Sequence, residues 1–313
     1  MAFALAARMN VLAMIKRLLG LPSSEQLRSR RRILASTVDF EAKNDRGFTA
    51  VDIAAYAGKN AVIDALLKWK KKEKNGSKNA LVPLRPAGAA PVDDDPLEDS
   101  IMKCAVCGGK EEVILLLMSH YKPNRATMLH GVGLWSVSGV TDTAQVDTEI
   151  QNDSRQFPLA VTFKDVNAFR SFLFCPPGKK AYFEVELVRA GDGLSLGFVA
   201  ERWGGATLNG GGGGGGTAFR GVVGRGWKDG DVIGVACDLE QGRMHFSVNG
   251  KFDGRMGADF NTPIGELMYP AFTSPAAEVV VRFNFGGPKF MFQGPDPSFR
   301  SVLVLSGQLL MEG

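Results

Sequence analysis

The clearest pattern of hydrophobic and polar positions in this chain lies in residues 230–251. An apolar run over residues 232–237 predicts a buried strand. Residues 243–248 then alternate polar and apolar side chains with a period of two, which predicts a strand with one buried and one solvated face. Asn249 and Gly250 follow, and this pair tolerates the positive φ angles of a two-residue type I′ turn. The pattern therefore predicts a β-hairpin meander, and it contains no cluster typical of a catalytic site.

This stretch resembles the core of the SPRY domain. The matching positions are Trp227, Gly230, Asp231, Gly234, Asp238, Phe246, Asn249 and Gly250. Upstream, residues 182–186 and 194–199 are similar to early strands of that family, and downstream residues 269–272 and 279–287 are similar to its closing strands. The resemblance covers residues 155–288 and implies a concanavalin-like antiparallel β-sandwich.

The resemblance also implies that partners are bound by loops at one edge of the sandwich, with the strands as scaffold. The corresponding residues here are Pro176, Lys179, Arg202, Trp203, Ser274 and Pro275. Exposed Trp and Arg are frequent hot-spot residues. A core position for Trp203, covering the edge of the sandwich, is the open alternative. Trp227 is expected to be structural.

A helical repeat pattern precedes the β-rich part. Residues 39–67 resemble an ankyrin repeat, a turn plus two short helices, with small alanines where the helices pack and Gly58 in the turn between them. Residues 100–117 align with residues 49–67 at an offset of 51, and residues 6–19 align as a partial copy. The consensus Thr-Pro-Leu-His is missing, so we expect a weakened stack of helices that is stabilised by packing on the SPRY domain or on a partner.

The predicted organisation has six parts. They are ankyrin-like repeats over residues 1–70 with the first one partial, a disordered Lys/Pro/Asp-rich linker over 71–98, a further degenerate ankyrin repeat over 99–122, a connector over 123–154, the SPRY domain over 155–288 and a C-terminal tail over 289–313. The predicted fold class is therefore multidomain, with an all-β sandwich preceded by all-α ankyrin-like helical repeats.

The formal net charge of +4 hides a basic N-terminal part, since residues 1–80 carry 16 Lys and Arg against 7 Asp and Glu. The segments Lys68–Lys78 and Arg28–Arg32 would suit nucleic acid or an anionic surface. Such runs are usually solvated, however, and aromatic residues do not alternate with them. Residues 1–20 are basic and apolar at helical spacing, so a half-repeat and a mitochondrial presequence both stay open.

Candidate chemistry is sparse. The four cysteines are unpatterned, which favours reduced thiols and a cytoplasmic or nuclear protein. Cys104 and Cys107 form a CxxC motif, but they fall on apolar helix positions and no second pair completes a zinc site. The glycine run Gly210–Gly216 lacks the Lys-Ser/Thr of a P-loop. We therefore expect no catalytic residue, no cofactor, no bound metal and no membrane span.

These features predict a non-catalytic intracellular protein–protein interaction module rather than an enzyme. The SPRY edge loops are expected to bind a peptide or protein partner, and the ankyrin helices to give a second contact surface. Two alternatives stay open: a substrate-recognition adaptor of a ubiquitin ligase, and nucleic-acid or anionic-surface binding through the basic N-terminal third.

Overall fold

The computed structural model describes residues 42–65, 67–68, 96–121, 123–137, 144–146, 159–165, 167–201, 203, 220–224, 226–252, 265–274 and 278–307. The chain forms two compact units, Met1–Leu117 and Met118–Gly313. Several predicted features lie outside the described residues. They are the partial repeat or presequence of residues 1–20, Arg28–Arg32, the basic segment Lys68–Lys78 beyond Lys68 itself, most of the predicted linker, and the glycine run Gly210–Gly216.

The described part of the first unit contains two helix–turn–helix pairs. Its helices are α1 (Ala50–Tyr56), α2 (Pro96–Cys107) and α3 (Glu111–Leu116), residues 60–65 and 67–68 are also helical, and a π-helical turn (Leu117–Tyr121) follows α3. A capping box starts α1: the Asp52 carboxylate accepts the Thr49 N–H at 2.8 Å, and the Thr49 hydroxyl accepts the Asp52 N–H at 3.3 Å. Asp52 stands where the ankyrin consensus has His, and it caps its own helix.

The turns of the two pairs have the same backbone geometry. Gly58 and Gly109 take φ angles of +70° and +62°. The residue after each glycine donates its N–H to a buried alanine carbonyl five positions earlier, at 2.9 Å in both turns. The backbone therefore repeats at the predicted offset of 51 residues. That the two pairs are ankyrin repeats stays a prediction.

Small residues let the two pairs approach each other closely. The predicted alanine positions, Ala54, Ala55 and Ala105, are fully buried. At Gly108, an added Cβ atom would lie only 2.2 Å from the carbonyl oxygen of Tyr56. The end of α1 thus packs directly on the backbone that follows α2.

Replacing Gly108 with alanine is expected to destabilise the first unit by about 2 kcal/mol, because the backbone of Tyr56 would have to move away. Gly47 is the control, since its φ is +82° but an added Cβ atom meets nothing within 4 Å. Gly47→Ala should therefore cost only the conformational strain of about 1 kcal/mol. Thermal unfolding of the full chain, followed by far-UV circular dichroism, compares the two variants. A Tm for Gly108→Ala equal to or above that of Gly47→Ala would contradict the close approach.

The second unit is a sandwich of two β-sheets. Its elements are helix α4 (Arg125–Gly131), the strands β1 (Leu134–Ser136), β2 (Ala144–Val146), β3 (Ala160–Phe163), β4 (Asn167–Ser171), β5 (Lys180–Arg189), β6 (Ser195–Ala200), β7 (Arg220–Val223), β8 (Val232–Asp238), β9 (Arg243–Val248), β10 (Met268–Ser274), β11 (Val279–Asn284) and β12 (Arg300–Ser301), and helix α5 (Val302–Gly307). Sheet A has the order β1-β4-β10-β6-β7. Sheet B has the order β2-β3-β11-β5-β8-β9, and β12 pairs in parallel with the start of β5. The predicted antiparallel β-sandwich is confirmed.

Aromatic side chains from both sheets fill the space between them. Phe169 and Phe272 of sheet A stack with their ring centres 5.2 Å apart, and Phe163 of sheet B lies 4.6 Å from Phe272. All three rings are fully buried or nearly so. Since side chains alternate across a strand, these rings mark the inner face of each sheet and assign the intervening residues to the outer faces.

The predicted hairpin meander is confirmed in its strands and its turn. Strands β8 and β9 pair antiparallel. Asn249 and Gly250 take φ angles of +52° and +77°, as a type I′ turn requires. The Lys251 N–H donates to the Val248 carbonyl at 3.1 Å and closes the turn.

Residues 123–154, which we predicted to be a connector, contribute two strands to the sandwich. Strand β1 pairs with β4, with Leu134 opposite Ser171, and β2 pairs with β3, with Ala144 opposite Phe163. Each strand has three residues, which is too short for a period of two to be recognised in sequence. The sandwich therefore begins upstream of the predicted boundary at residue 155.

The segment predicted as a C-terminal tail covers the outer face of sheet B as far as it is described. Its Phe290 ring lies 4.9 Å from the ring of Tyr182 on β5, and β12 adds to the same strand. The solvated face that we predicted for β9 is therefore wrong at Ser247, which is 0% exposed. Residues 289–307 belong to the folded unit.

Candidate functional site

Those predicted contact residues that the structure describes fall at the two opposite ends of strand β10. At one end, Met268 pairs with Ala200, which precedes the loop of Trp203, and forms an isolated bridge with Cys175, which precedes loop Pro176–Lys179. The other end of β10 is Ser274, six residues away and about 20 Å at the rise of an extended strand. The structure thus groups two of the predicted loops at what we call the Met268 end. It does not bring the third loop to them.

Loop Pro176–Lys179 is exposed but is held by main-chain hydrogen bonds. The Lys179 N–H donates to the Pro176 carbonyl at 3.2 Å, and the Leu239 N–H donates to the Lys179 carbonyl at 2.9 Å. Gly178 takes a φ of +67°, which glycine adopts without strain. The loop therefore presents Pro177 and Lys179 to solvent from a defined backbone.

Two buried thiols lie beneath this loop. Cys175 and Cys237 are both 0% exposed. Burial, reinforced by the neighbouring Cys175 thiol, raises the pKa of Cys237 well above its usual value. The sulfur of Cys175 lies 3.4 Å from the carbonyl oxygen of Lys179. The Cys237 thiol, kept protonated by burial, is a poor nucleophile, and both cysteines pack beneath the loop.

Trp203 is buried, which corrects its prediction as an exposed contact residue. Its side chain is 4% exposed and belongs to a hydrophobic cluster on the outer face of sheet A. The members of this Trp203 cluster are Ala168, Phe174, Val199, Trp203, Tyr269 and Ala271. They come from β4, β6, β10 and two loops, so the burial of Trp203 agrees with the alternative that it covers the edge of the sandwich.

Ser274 is buried as well, with 2% of its surface exposed. Its hydroxyl donates a hydrogen bond to the backbone carbonyl of Asp165, which ties the β3–β4 turn to the end of β10. It is therefore a structural residue and not an exposed contact. Arg202 and Pro275 lie outside the described residues, and their roles stay predictions.

A cation between two aromatic rings lies beside the Trp203 cluster, and we did not predict it from the sequence. The guanidinium carbon of Arg170 on β4 lies 4.5 Å from the ring centre of Tyr269 and 5.8 Å from that of Trp135. Tyr269 is 8% exposed, whereas Trp135 is 45% exposed. We call these three residues the Arg170 cluster. They come from three strands far apart in sequence, so no local pattern joins them.

Charged groups of both signs influence the Arg170 cluster. Burial raises the pKa of Tyr269, the Glu201 carboxylate adds to this effect, and the charge and hydrogen bond of Arg170 oppose it. The Nη1 nitrogen of Arg170 is buried without a hydrogen-bond partner. The cluster therefore holds a positive charge with an unused donor beside an exposed indole ring.

The described residues contain no group of three or more His, Cys, Asp or Glu side chains that could hold a metal ion. Cys104 and Cys107 on α2 are 5% and 7% exposed, and burial raises the pKa of both thiols, that of Cys107 to about 12. Their interpretation as small buried hydrophobic residues is confirmed. In the same described part of the chain, no helix has the length and apolar character needed to cross a membrane.

A family model described as SPRY domain matches residues 180–288 of this chain. Among solved structures, 120 chains match. One is the crystal structure of the SPRY domain of human HERC1, with 13% sequence identity and a TM-score of 0.30, covering 46% of this chain and 94% of that chain. No curated protein matches. The family match spans β5 to β11 and leaves out β1 to β4 and the whole of the segment that covers sheet B.

Proposed function

We propose that this chain binds a peptide or protein partner at its Met268 end and catalyses no reaction. The premise is the SPRY domain at residues 180–288, since the SPRY domain is a protein–protein interaction module. The observation that carries the proposal is loop Pro176–Lys179, which is exposed yet fixed at both ends by main-chain hydrogen bonds. Binding residues are commonly found on loops that a rigid scaffold positions.

The scaffold beneath this loop supports the proposal. The Cys175 N–H donates to the Met268 carbonyl at 2.7 Å, and the Met268 N–H donates to the Cys175 carbonyl at 3.0 Å. Phe174 and Tyr269, the chain neighbours of Cys175 and Met268, pack with ring centres 5.8 Å apart. A surface that is ordered before binding loses less conformational entropy when the partner arrives.

The first unit is proposed to be a pair of degenerate ankyrin-like repeats that gives a second contact surface. The repeated turn geometry at Gly58 and Gly109 supports this assignment. A substrate-recognition adaptor of a ubiquitin ligase would be a special case of the same binding function. The described cysteines are free thiols, which supports a location in the cytoplasm or nucleus.

Reversing the charge of Lys179 tests the proposed surface. Tagged full-length chain is expressed in cells, and captured proteins are quantified by mass spectrometry for wild type, Lys179→Glu and Lys251→Glu. Both lysines are exposed, but Lys251 lies in the hairpin turn at the other end of the sandwich. We expect Lys179→Glu to reduce capture of a set of proteins about fivefold or more, because a charge reversed at an interface repels a complementary partner. Lys251→Glu should retain these proteins.

The same proteins captured in equal amount by all three forms would contradict binding through this loop. Capture of nucleic acid that is lost on nuclease treatment, with no Lys179-dependent protein, would favour the alternative function through Lys68–Lys78 and Arg28–Arg32.

A further inference from the structure

The segment that leads into loop Pro176–Lys179 is held on both of its backbone edges. On one edge, Cys175 exchanges two hydrogen bonds with Met268. Neighbouring residues of an extended chain direct their N–H and C=O groups to opposite edges, so those of Phe174 face away from Met268. On that side lies Ser306 of α5, whose hydroxyl accepts the Phe174 N–H at 2.6 Å and lies 3.0 Å from the Phe174 carbonyl oxygen. One side chain thus takes the place of a neighbouring strand.

The Ser306 hydroxyl serves a buried part of the backbone. Ser306 is 0% exposed, and Phe174 is buried with its ring in the Trp203 cluster. The hydroxyl has one proton, which it donates either to the Phe174 carbonyl or to the Val302 carbonyl at 2.8 Å. A buried N–H group without an acceptor is unfavourable. Ser306 supplies that acceptor for Phe174 and so holds the entry of the loop in place.

The element that carries Ser306 also reaches the exit of the loop. Strand β12 directly precedes α5, and its Arg300 pairs with Ala181 at the start of β5, two residues after Lys179. The segment Arg300–Gly307 therefore contacts the chain on both sides of the loop. Neither this segment nor the loop belongs to residues 180–288, which the family model matches.

We propose that Ser306 is a positioning residue of the binding surface: it fixes Phe174 so that loop Pro176–Lys179 holds its binding conformation before the partner arrives. The inference rests on the proposed function. Because Ser306 is fully buried, it acts on the partner only through the loop. The apparent affinity of a site falls with the fraction of molecules in the binding-competent conformation. Loss of the Ser306 hydroxyl lowers that fraction.

Amide hydrogen exchange of the full chain tests the positioning role without a partner. Ser306→Ala removes the acceptor of the Phe174 N–H, so peptides covering residues 172–181 should exchange about tenfold faster or more. Exchange is followed at short times, at which strand β8 stays protected, so that local opening of the loop is separated from unfolding of the sandwich.

Val281→Ala is the matched control for a loss of stability. It removes two methyl groups from a fully buried side chain on β11, and its register partner Leu187 lies seven residues along β5 from Lys180. It should destabilise the sandwich and leave the exchange of residues 172–181 at short times as in the wild type. A residue with a purely structural role would change exchange as Val281→Ala does.

The capture experiment in cells then measures the consequence for binding. Ser306→Ala should lower capture of the Lys179-dependent proteins about threefold or more, and Val281→Ala should retain them. Tryptophan fluorescence checks folding. If Ser306→Ala does not fold, Ser306→Cys carries both tests with a reducing agent present, because a thiol is close in size to the hydroxyl and forms only weak hydrogen bonds.

The inference is overturned if residues 172–181 exchange no faster in the Ser306 variant, or equally fast in Val281→Ala. It is also overturned if exchange rises while capture of the Lys179-dependent proteins stays the same. In each of these cases, Lys179-dependent capture still supports the proposed function. Faster exchange of the loop, with no Lys179-dependent protein captured by the wild type, contradicts the proposed function instead, and the role of Ser306 in binding is rejected with it.

Discussion

Replacing Glu184 with alanine is expected to lower the free energy of unfolding of the second unit by about 4 kcal/mol. Glu184 lies in the middle of β5 on the outer face of sheet B, and none of its surface is exposed. Its carboxylate accepts the N–H groups of Met291 and Phe292, each at 2.8 Å, and the hydroxyl of Tyr182 at 3.0 Å. Each donor left without its acceptor costs about 1–3 kcal/mol where it is buried.

The same carboxylate holds the covering segment, residues 290–301, on the sheet. Phe292 packs so closely on the hairpin turn that a Cβ atom on Gly250 would lie 2.6 Å from its ring. Burial raises the pKa of Glu184, and the backbone donors of Phe292 and Met291 and the hydroxyl of Tyr182 oppose this shift. Glu184→Ala should therefore also expose the covering segment to proteolysis.

Glu278→Ala is the matched control for Glu184→Ala. The side chains of Glu278 and its partner Arg189 are 44% and 59% exposed, so their ion pair is worth about 0–1 kcal/mol. Denaturant unfolding of the full chain, followed by tryptophan fluorescence, reports mainly on the second unit because three of the four tryptophans lie in it. If Glu184→Ala unfolds at the same midpoint as Glu278→Ala, the covering segment contributes little to stability.

The β8–β9 hairpin could be predicted from the sequence because it depends on residues that are neighbours in the chain. The alternation of side chains sets the strands, residues 239–242 form the turn between them, and the Asn249–Gly250 pair sets the tight turn that follows β9. The burial of Ser247 could not be predicted in this way. The burial of Ser247 depends on Tyr182 and on residues 290–301, which lie far from the hairpin in sequence. The alternation of side chains alone is compatible with either a solvent-exposed or a covered face.

The location of the candidate site on a loop could be predicted from the sequence, but the exposure of its individual side chains could not. The exposure of Lys179 follows from a local turn. The burial of Trp203 depends on Tyr269, and that of Ser274 on Asp165, each from a distant part of the chain. The role of Arg170 could not be predicted from the sequence, because a single Arg in a strand is expected to be solvated unless its neighbours across the sheet are known.

The buried pair of Glu186 and Arg282 is expected to give the other large effect on stability. The two residues face each other across β5 and β11 at 3.0 Å, and their side chains are 4% and 9% exposed. Glu186→Leu removes the counter-ion of a buried guanidinium and should cost about 3–5 kcal/mol. Arg282→Met should cost a similar amount, because it removes the counter-ion of a buried carboxylate.

Replacing both residues at once should cost much less than the sum of the two single changes. In the folded wild type, the attraction between the ions has to offset the loss of hydration of both. The double variant Glu186→Leu/Arg282→Met buries neither ion. It therefore has neither the cost of dehydrating the two ions nor the attraction between them. A double-mutant cycle is therefore expected to give a coupling free energy of about 3 kcal/mol or more.

A second cycle on Arg189 and Glu278 isolates the effect of burial, because it uses the same residue types at an exposed position, on β5 and directly before β11. Its variants, Glu278→Leu and Arg189→Met, should couple by about 0–1 kcal/mol. Both cycles are measured on the full chain by denaturant unfolding and tryptophan fluorescence. A coupling for Glu186 and Arg282 no larger than that of the exposed pair would mean that the Arg282 guanidinium is solvated in the variant. The outer face of sheet B would then be open to water at this position.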